Sequence, residues 1–282
     1  MSLRDAAAAA AESLAPAERL VVETILGEPA RVAFGTVAEL AARSGTSGPT
    51  VLRVARKLGF DGYRSLQAAA QAELTGGLEP AATRIRRTAA GTDDPLGRAT
   101  ATEVGNVEAT LRAVDPGAFT LAVRLLADRK RRVLVLAGDA ETGIAATAAG
   151  QIQQLRDGVE VLSGAPTAVA ARIALAGPSD VVLAVDVRRY DAWVLDALPR
   201  LRGAGARVVA VTDGPLSPLA AGADAWFAVT AEGAGPFDSH VGTLALLHAL
   251  VAGVADRLRG SAVDRLDRIE AAWSESGALR DS

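Results

Sequence analysis

Apolar residues along this chain change their spacing once, near residue 131, and the change separates two architectures. Before it they recur at helical intervals. Leu20, Val21, Thr24 and Ile25 share one face of a helix that begins at Pro16 and ends at Gly27 with Pro29. Val51, Val54, Ala55 and Leu58 follow at i, i+3, i+4 and i+7, and Tyr63 and Leu66 anchor a further helix running from Asp61 to about Leu74. Residues 1–13 are alanine-rich and weakly patterned, and read as a frayed helix or a tail. After residue 131 short apolar runs take over, interrupted only by Glu160: Val133–Ala137, Val159–Leu162, Val181–Val185, Val208–Val211 and Trp226–Val229. Such runs suit parallel strands buried on both faces. Helical spans at 143–156, 166–176 and 191–203 lie between them, and a long helix is expected from about residue 240 to Leu258. Alternating strands and helices predict a doubly wound α/β sheet, whose ligands bind beyond the carboxyl ends of the strands.

The stretch 36–60 carries the most specific local pattern. Thr36 and Glu39 have capping-box spacing, Gly45 supplies a turn, and Ser47 with Pro49 opens a second short helix. Small Ala41 lets that second helix approach the first. Thr50, Arg53, Arg56 and Lys57 are expected on the side opposite the apolar face. Two short helices, a tight turn and a basic second helix are the plan of a helix-turn-helix DNA reader. A structural helix pair shares the two-faced pattern, but not the combination of Ala41, Gly45, Val51 and Val54 at these offsets. Ser47, Thr50, Leu52, Arg53, Arg56 and Lys57 are the candidate DNA contacts: Thr50 and Arg53 for base edges or adjacent phosphates, Arg56 and Lys57 for backbone, Leu52 for a thymine methyl.

Charge sharpens this reading. The 282 residues carry a net charge of −3, so no global field draws the chain to nucleic acid. Residues 43–64 nonetheless hold five basic residues against Asp61 alone, a local +4. The basic runs Arg84–Arg87 and Arg129–Arg132 are read as solvated helix ends rather than phosphate contacts. Phe34, Phe60 and Tyr63 are read as the core of the small domain. There is no cysteine, which excludes disulfides and thiolate metal sites. No signal-peptide layout and no membrane-spanning apolar run is evident, and a cytoplasmic location without a membrane partner is expected. His240 and His248, eight residues apart, do not share a metal on one helix turn, and neither metal nor cofactor is expected.

On these residues the chain resembles RpiR-type transcriptional regulators. Thr50-Val51 with Arg53, the run Ala55–Phe60 and Asp61-Gly62-Tyr63 resemble their N-terminal domain over residues 15–75. Gly205-Ala206, Val208–Asp213, Ser217-Pro218-Leu219 and Ala223-Asp224 resemble the sugar isomerase (SIS) domain, which would cover 131–258. The resemblance implies an all-α helix-turn-helix domain at 1–77, a helical lead-in at 78–130 and an SIS-like α/β domain at 131–282. It implies a double-stranded DNA operator, dimerisation with or without further pairing to a tetramer, and a sensed sugar phosphate or other anionic metabolite.

The loops expected to hold that effector depart from the SIS pattern. Asp139 and Glu141 stand where a glycine and a serine are expected, and the loop Asp186–Asp191 lacks both of its serines. Two carboxylates repel a phosphate dianion unless they are neutralised. Three outcomes are open: Arg188 and Arg189 neutralise them, an anion binds in another pose, or the loops close as a salt-bridged cluster. Gly138, Glu141, Thr142, Asp186, Arg188, Arg189, Ser217 and His240 are the candidate effector residues. Asp238 or Ser239 is expected to cap the long helix, and Trp193, Trp226 and Trp273 to serve packing or a dimer interface rather than a ligand. The alternative function is an SIS-type phosphosugar isomerase or lyase using Glu141, Asp186 or His240 as acid–base groups. A scaffold role through the α/β domain is the third.

Overall fold

The computed structural model describes residues 3–10, 13–27, 29–74, 81–88, 94–215 and 217–277. They fall into two compact units, Met1–Glu79 with Leu216–Pro218, and Pro80–Pro215 with Leu219–Ser282.

The first unit is all helical: α1 (Leu3–Ala10), α2 (Pro16–Gly27), α3 (Pro29–Phe34), α4 (Val37–Arg43), α5 (Gly48–Lys57) and α6 (Tyr63–Leu74). Its core joins Val21, Ile25, Leu40, Val51, Val54, Ala55, Leu58 and Leu66. The capping box forms as the spacing requires: the Glu39 N–H donates to Thr36 Oγ1 at 3.2 Å and the Thr36 N–H to Glu39 Oε2 at 2.7 Å. Gly45 takes φ +63°, a conformation that strains any side-chain-bearing residue. Tyr63 donates its hydroxyl to the Gly35 carbonyl at 3.1 Å, tying α6 to the entry of α4.

Three expectations are corrected here. The alanine-rich start is a packed helix, with Leu3, Ala6, Ala7 and Ala10 buried. On α2, Val22 rather than Leu20 joins Val21 and Ile25 inside, because the buried face is turned by roughly a quarter turn toward Glu18 and Val22. Thr50 is only 6% exposed, on the buried side of α5 with Val51 and Val54.

The second unit holds a five-stranded parallel sheet in the order β2-β1-β3-β4-β5. Its strands are β1 (Arg132–Ala137), β2 (Val159–Val161), β3 (Asp180–Val185), β4 (Arg207–Thr212) and β5 (Ala225–Ala228). Each covers one of the apolar runs. Successive residues of β1 feed opposite faces. Val133, Val135 and Ala137 pack toward α9 (Pro116–Ala127), α10 (Thr142–Leu155) and α13 (Val241–Ser276). Leu134 and Leu136 pack toward α11 (Pro166–Ala174) and α12 (Ala192–Gly203). Helices α7 (Ala81–Thr88) and α8 (Pro95–Arg112) also belong to this unit, so the lead-in helices are part of the α/β unit and not a separate linker.

The basic run before β1 is structural. Arg132 grips both carboxylate oxygens of Asp180 at 3.0 Å, and Arg131 donates to the Pro178 carbonyl at 2.7 Å. Helix α13 runs on to Ser276, well past the expected end at Leu258. By length and composition it also passes as a membrane span, which the sequence reading had excluded. In the fold Leu246, Leu247, Leu250 and Val254 are buried in the core of the second unit.

Candidate functional site

The exposed face of α5 is the first candidate. Ser47, Leu52, Arg53 and Arg56 are exposed, and the Arg53 side chain keeps 60% of its surface in solvent. Ser47 precedes α5 without accepting a cap bond from its backbone N–H groups; its hydroxyl instead meets Thr50 Oγ1 at 2.9 Å. Arg53 Nη2 donates to the same Thr50 oxygen at 3.1 Å. Thr50 is therefore a buried brace between Ser47 and Arg53, and the expected base contact is not on the open face. Lys57 also departs from expectation, donating to Glu18 Oε2 at 2.6 Å and to the Ser13 carbonyl at 2.7 Å. The sequence reading missed Glu18, whose partner on α5 lies 39 residues further along the chain.

The second candidate lies at the topological switch point, where β1 and β3 are neighbours and their following loops leave side by side. It brings Gly138, Glu141, Thr142, Asp186 and His240 together. Thr142 starts α10 and donates its hydroxyl to the Gly138 carbonyl at 2.9 Å. A β-carbon on Gly138 would lie 2.7 Å from Asp186 Oδ1 and 2.7 Å from Glu141 Oε2, so the glycine lets two carboxylates close over it. The loops clasp each other through backbone amides: the Asp139 N–H donates to Asp191 Oδ2, and the Asp191 N–H to Asp186 Oδ2 at 2.8 Å. These amides are the kind that would cradle an anion; here the chain's own carboxylates occupy them.

Burial sets the protonation. Glu141 is 2% exposed, and burial, helped by neighbouring Asp186, pushes its carboxyl up to about 8. Burial likewise pushes Asp186 up to about 7, with Asp191 and Asp213 adding repulsion. His240 Nδ1 stands 3.6 Å from Glu141 Oε1, and burial lowers the imidazole below its ordinary value. At neutral pH this contact is a protonated acid beside a neutral imidazole rather than an ion pair.

The arginines expected to neutralise an anion are placed differently. Arg188, at φ +64°, pairs with Asp238 at 3.0 Å and with Glu232, and Arg84 reaches the same Asp238 oxygen at 2.8 Å. Arg188 is thus paired with Asp238 and Glu232 and not with the carboxylates of the two loops. Arg189 is exposed, and Ser217 groups with the first unit. Neither Asp238 nor Ser239 is the cap of α13: His240 holds the N-cap position without a side-chain cap bond, Asp238 is held by the two arginines, and Ser239 Oγ accepts from the Val241 N–H at 3.2 Å. Buried Asn106 and Thr110 on α8 fix the strand-to-helix connection by bonds to Glu232 and Thr230, which positions Asp238 and His240. Beside the clasp a cleft of about 500 Å³ opens between α11 and α12, lined by Asp139, Thr142, Leu162, Val169, Ile173 and Trp193 among others. Trp193, expected to pack or to serve a dimer interface, is one wall of it. Among the described residues no group of acidic, histidine or cysteine side chains is arranged to hold a metal ion.

Comparison with known proteins accords with this architecture. Residues 1–76 match the family model of the RpiR-family helix-turn-helix domain, and residues 125–253 match that of the SIS domain. The sugar isomerase domain of an RpiR transcription factor from Sphaerobacter thermophilus is 25% identical, with a TM-score of 0.60 over 64% of this chain and 99% of that one. The Vibrio vulnificus NanR protein, solved with ManNAc-6P, is 20% identical and shares the fold over 99% of this chain and 98% of its own, at a TM-score of 0.62. A phosphoheptose isomerase from Francisella tularensis is 18% identical, with a TM-score of 0.50 over 59% of this chain and all of that one. No curated protein matches the sequence. A helix-turn-helix domain followed by a parallel-sheet domain of the sugar-isomerase type defines a DNA-binding transcriptional regulator with a sensing module. Residues 1–76 are thus similar to the reading domain of RpiR-family regulators and residues 125–253 to an SIS domain, the pair of domains such regulators combine.

Proposed function

We propose that the protein controls genes of carbohydrate or related metabolism by reading a double-stranded operator through the exposed face of α5. It acts in the cytoplasm as a homodimer or a pair of dimers, so that two reading heads meet two half-sites. The carrying observation is the solvent-facing set Ser47, Leu52, Arg53 and Arg56 on the second helix of a capped helix-turn-helix. Arg53 contacts a base edge or the adjacent phosphate, and Arg56 the backbone.

The neighbour solved with ManNAc-6P supports a sugar-derived effector. The clasp argues against a phosphate dianion seated on these two loops, since Glu141, Asp186 and Asp191 already fill that end. The effector then binds in the adjoining cleft, against Thr142 and Trp193. It shifts DNA affinity only as far as it prefers one arrangement of the protein over another.

One observation favours a catalytic reading. Carboxyls that titrate near 7 and 8 beside an imidazole suit acid–base work on a phosphosugar. Burial of Glu141 beneath the clasp counts against it, and regulation without turnover is the reading we adopt.

The test is selection of genomic fragments on the purified protein, followed by fluorescence anisotropy of the best fragment at several salt concentrations. We expect a fragment bound far above random DNA, and an Arg53→Ala/Arg56→Ala double variant that loses the preference. Equal binding of all DNA by both proteins, at low salt only, would overturn the DNA-reading role. Turnover of a phosphosugar panel would install the enzyme in its place.

A further inference from the structure

The exposed face of α5 is not a free set of cations. Glu18, on helix α2, is 5% exposed, and its carboxylate reaches that face from behind. Glu18 Oε2 accepts from the Ala15 N–H at 2.8 Å and from Lys57 Nζ at 2.6 Å. Its other oxygen faces Arg53 Nε at 3.9 Å, while Arg53 Nη2 rests on Thr50 Oγ1 at 3.1 Å and Thr50 on Ser47 Oγ at 2.9 Å. A polar chain, Ser47–Thr50–Arg53–Glu18–Lys57, hydrogen-bonded except for the 3.9 Å charge contact between Arg53 and Glu18, therefore crosses the recognition helix. One buried carboxylate sits between its two cations.

We propose that Glu18 is a positioning residue that sets the sequence specificity of the reading head. The inference rests on the reading of α5 as the DNA-contacting helix. Two effects follow from the geometry. The carboxylate partly neutralises Arg53 and Lys57, which lowers the sequence-independent attraction to phosphate. It also holds the Arg53 guanidinium in one orientation, braced by Thr50, so that a bidentate contact to a base edge forms with little ordering left to do. Both effects widen the gap between cognate and random DNA. A carboxylate that only capped α2 would do neither.

The experiment measures the full-length protein on a selected fragment and on a random duplex of equal length, across salt, for wild type, Glu18→Gln and Glu18→Asp, with a thermal melt of each. For Glu18→Gln we expect random-duplex affinity to rise about 3–10-fold and its salt slope to steepen by about one unit, as a released cation reaches phosphate. The ratio of selected to random affinity should fall about 10-fold. Glu18→Asp keeps the charge but withdraws it by one methylene from Arg53. It should leave random binding near wild type and still reduce the ratio, and it serves as the test if Glu18→Gln does not fold. Ratio and slope equal to wild type in both variants would overturn the proposal. So would parallel loss of both affinities with a lowered melting temperature, which is the mark of a purely structural cap. A wild-type protein with no preference for any fragment would instead bring down the DNA-reading assignment itself.

Discussion

The carboxylates of Glu141 and Asp186 meet over Gly138, each with an oxygen 2.7 Å from where a β-carbon on that glycine would stand. Their charges are disfavoured by burial, with Asp186 adding repulsion at Glu141 and Asp191 and Asp213 at Asp186, and the folded protein holds their protons to about pH 8 and pH 7. In the unfolded chain both release them in the ordinary carboxylate range. Between roughly pH 4.5 and 8 the native state thus binds more protons than the unfolded state, and stability falls as pH rises. The stabilisation is full below the unfolded values and gone above the folded ones. The three tryptophans, Trp193, Trp226 and Trp273, all lie in the second unit, so indole fluorescence reports its unfolding. Urea melts should show that unit more stable at pH 5.5 than at pH 8.5. Glu141→Gln should flatten the dependence and raise stability at pH 8.5 by on the order of 1–3 kcal/mol. Stability that rises with pH across this window would show that the pair ionises normally.

Gly242 and Gly260 lie on the same helix, α13, and the same substitution should act on them with opposite sign. A β-carbon at Gly242 would meet Thr110 Oγ1 at 2.6 Å and the Thr230 carbonyl at 2.8 Å, and a backbone carbonyl has little room to yield. Gly242→Ala should destabilise the second unit by about 1–3 kcal/mol. At Gly260 nothing lies within 4 Å, and alanine is the better helix former. Gly260→Ala should stabilise by about 0.5–1 kcal/mol. Equal effects at the two sites in thermal melts would contradict the close approach of α8 and α13.

Arg156, 2% exposed, holds the junction of α9, α10 and β1 together through carbonyls alone. Its guanidinium donates to Leu126 and Asp128 at 2.7 and 2.8 Å, to Asp157 at 2.9 Å, and to Arg131. Arg156→Met should cost on the order of 3 kcal/mol, because four carbonyls lose a charged donor. Arg156→Lys should recover only part, since an ammonium does not reproduce the fork. A chemical-denaturation series on the two variants checks the order.

What was legible in the sequence is what depends on near neighbours. The central strands β1, β3 and β4 announce themselves because a strand buried on both faces keeps its polar residues to its ends, and Thr36 with Glu39 because a capping box spans three residues. Thr50 was misplaced because its burial depends on Ser47 and Arg53 satisfying its hydroxyl, which composition does not show. Glu18 was missed because its partner on α5 is 39 residues away. The clasp shows the same limit. Asp139 and Glu141 were visible as departures, but only the pairing of β1 with β3 reveals that the opposite loop supplies the carboxylates. Arg188 looked available for an anion until Asp238 and Glu232, distant in sequence, were brought to it.

On α5 two arginines one helical turn apart should fail in different ways. Arg53 is braced by Thr50 and faces Glu18, so its guanidinium arrives at DNA in a defined orientation. Arg56 is exposed on the same helix. Arg53→Ala should weaken a selected operator by about 1–3 kcal/mol and relax preference at one position, with a smaller effect on random DNA. Arg56→Ala should weaken selected and random duplexes alike and reduce the salt slope by about one unit. Anisotropy titrations on single-base variants of the operator separate the two. Uniform weakening by Arg53→Ala would reassign it to the phosphate backbone, and a base preference lost with Arg56→Ala would shift the reading edge of the helix by one turn.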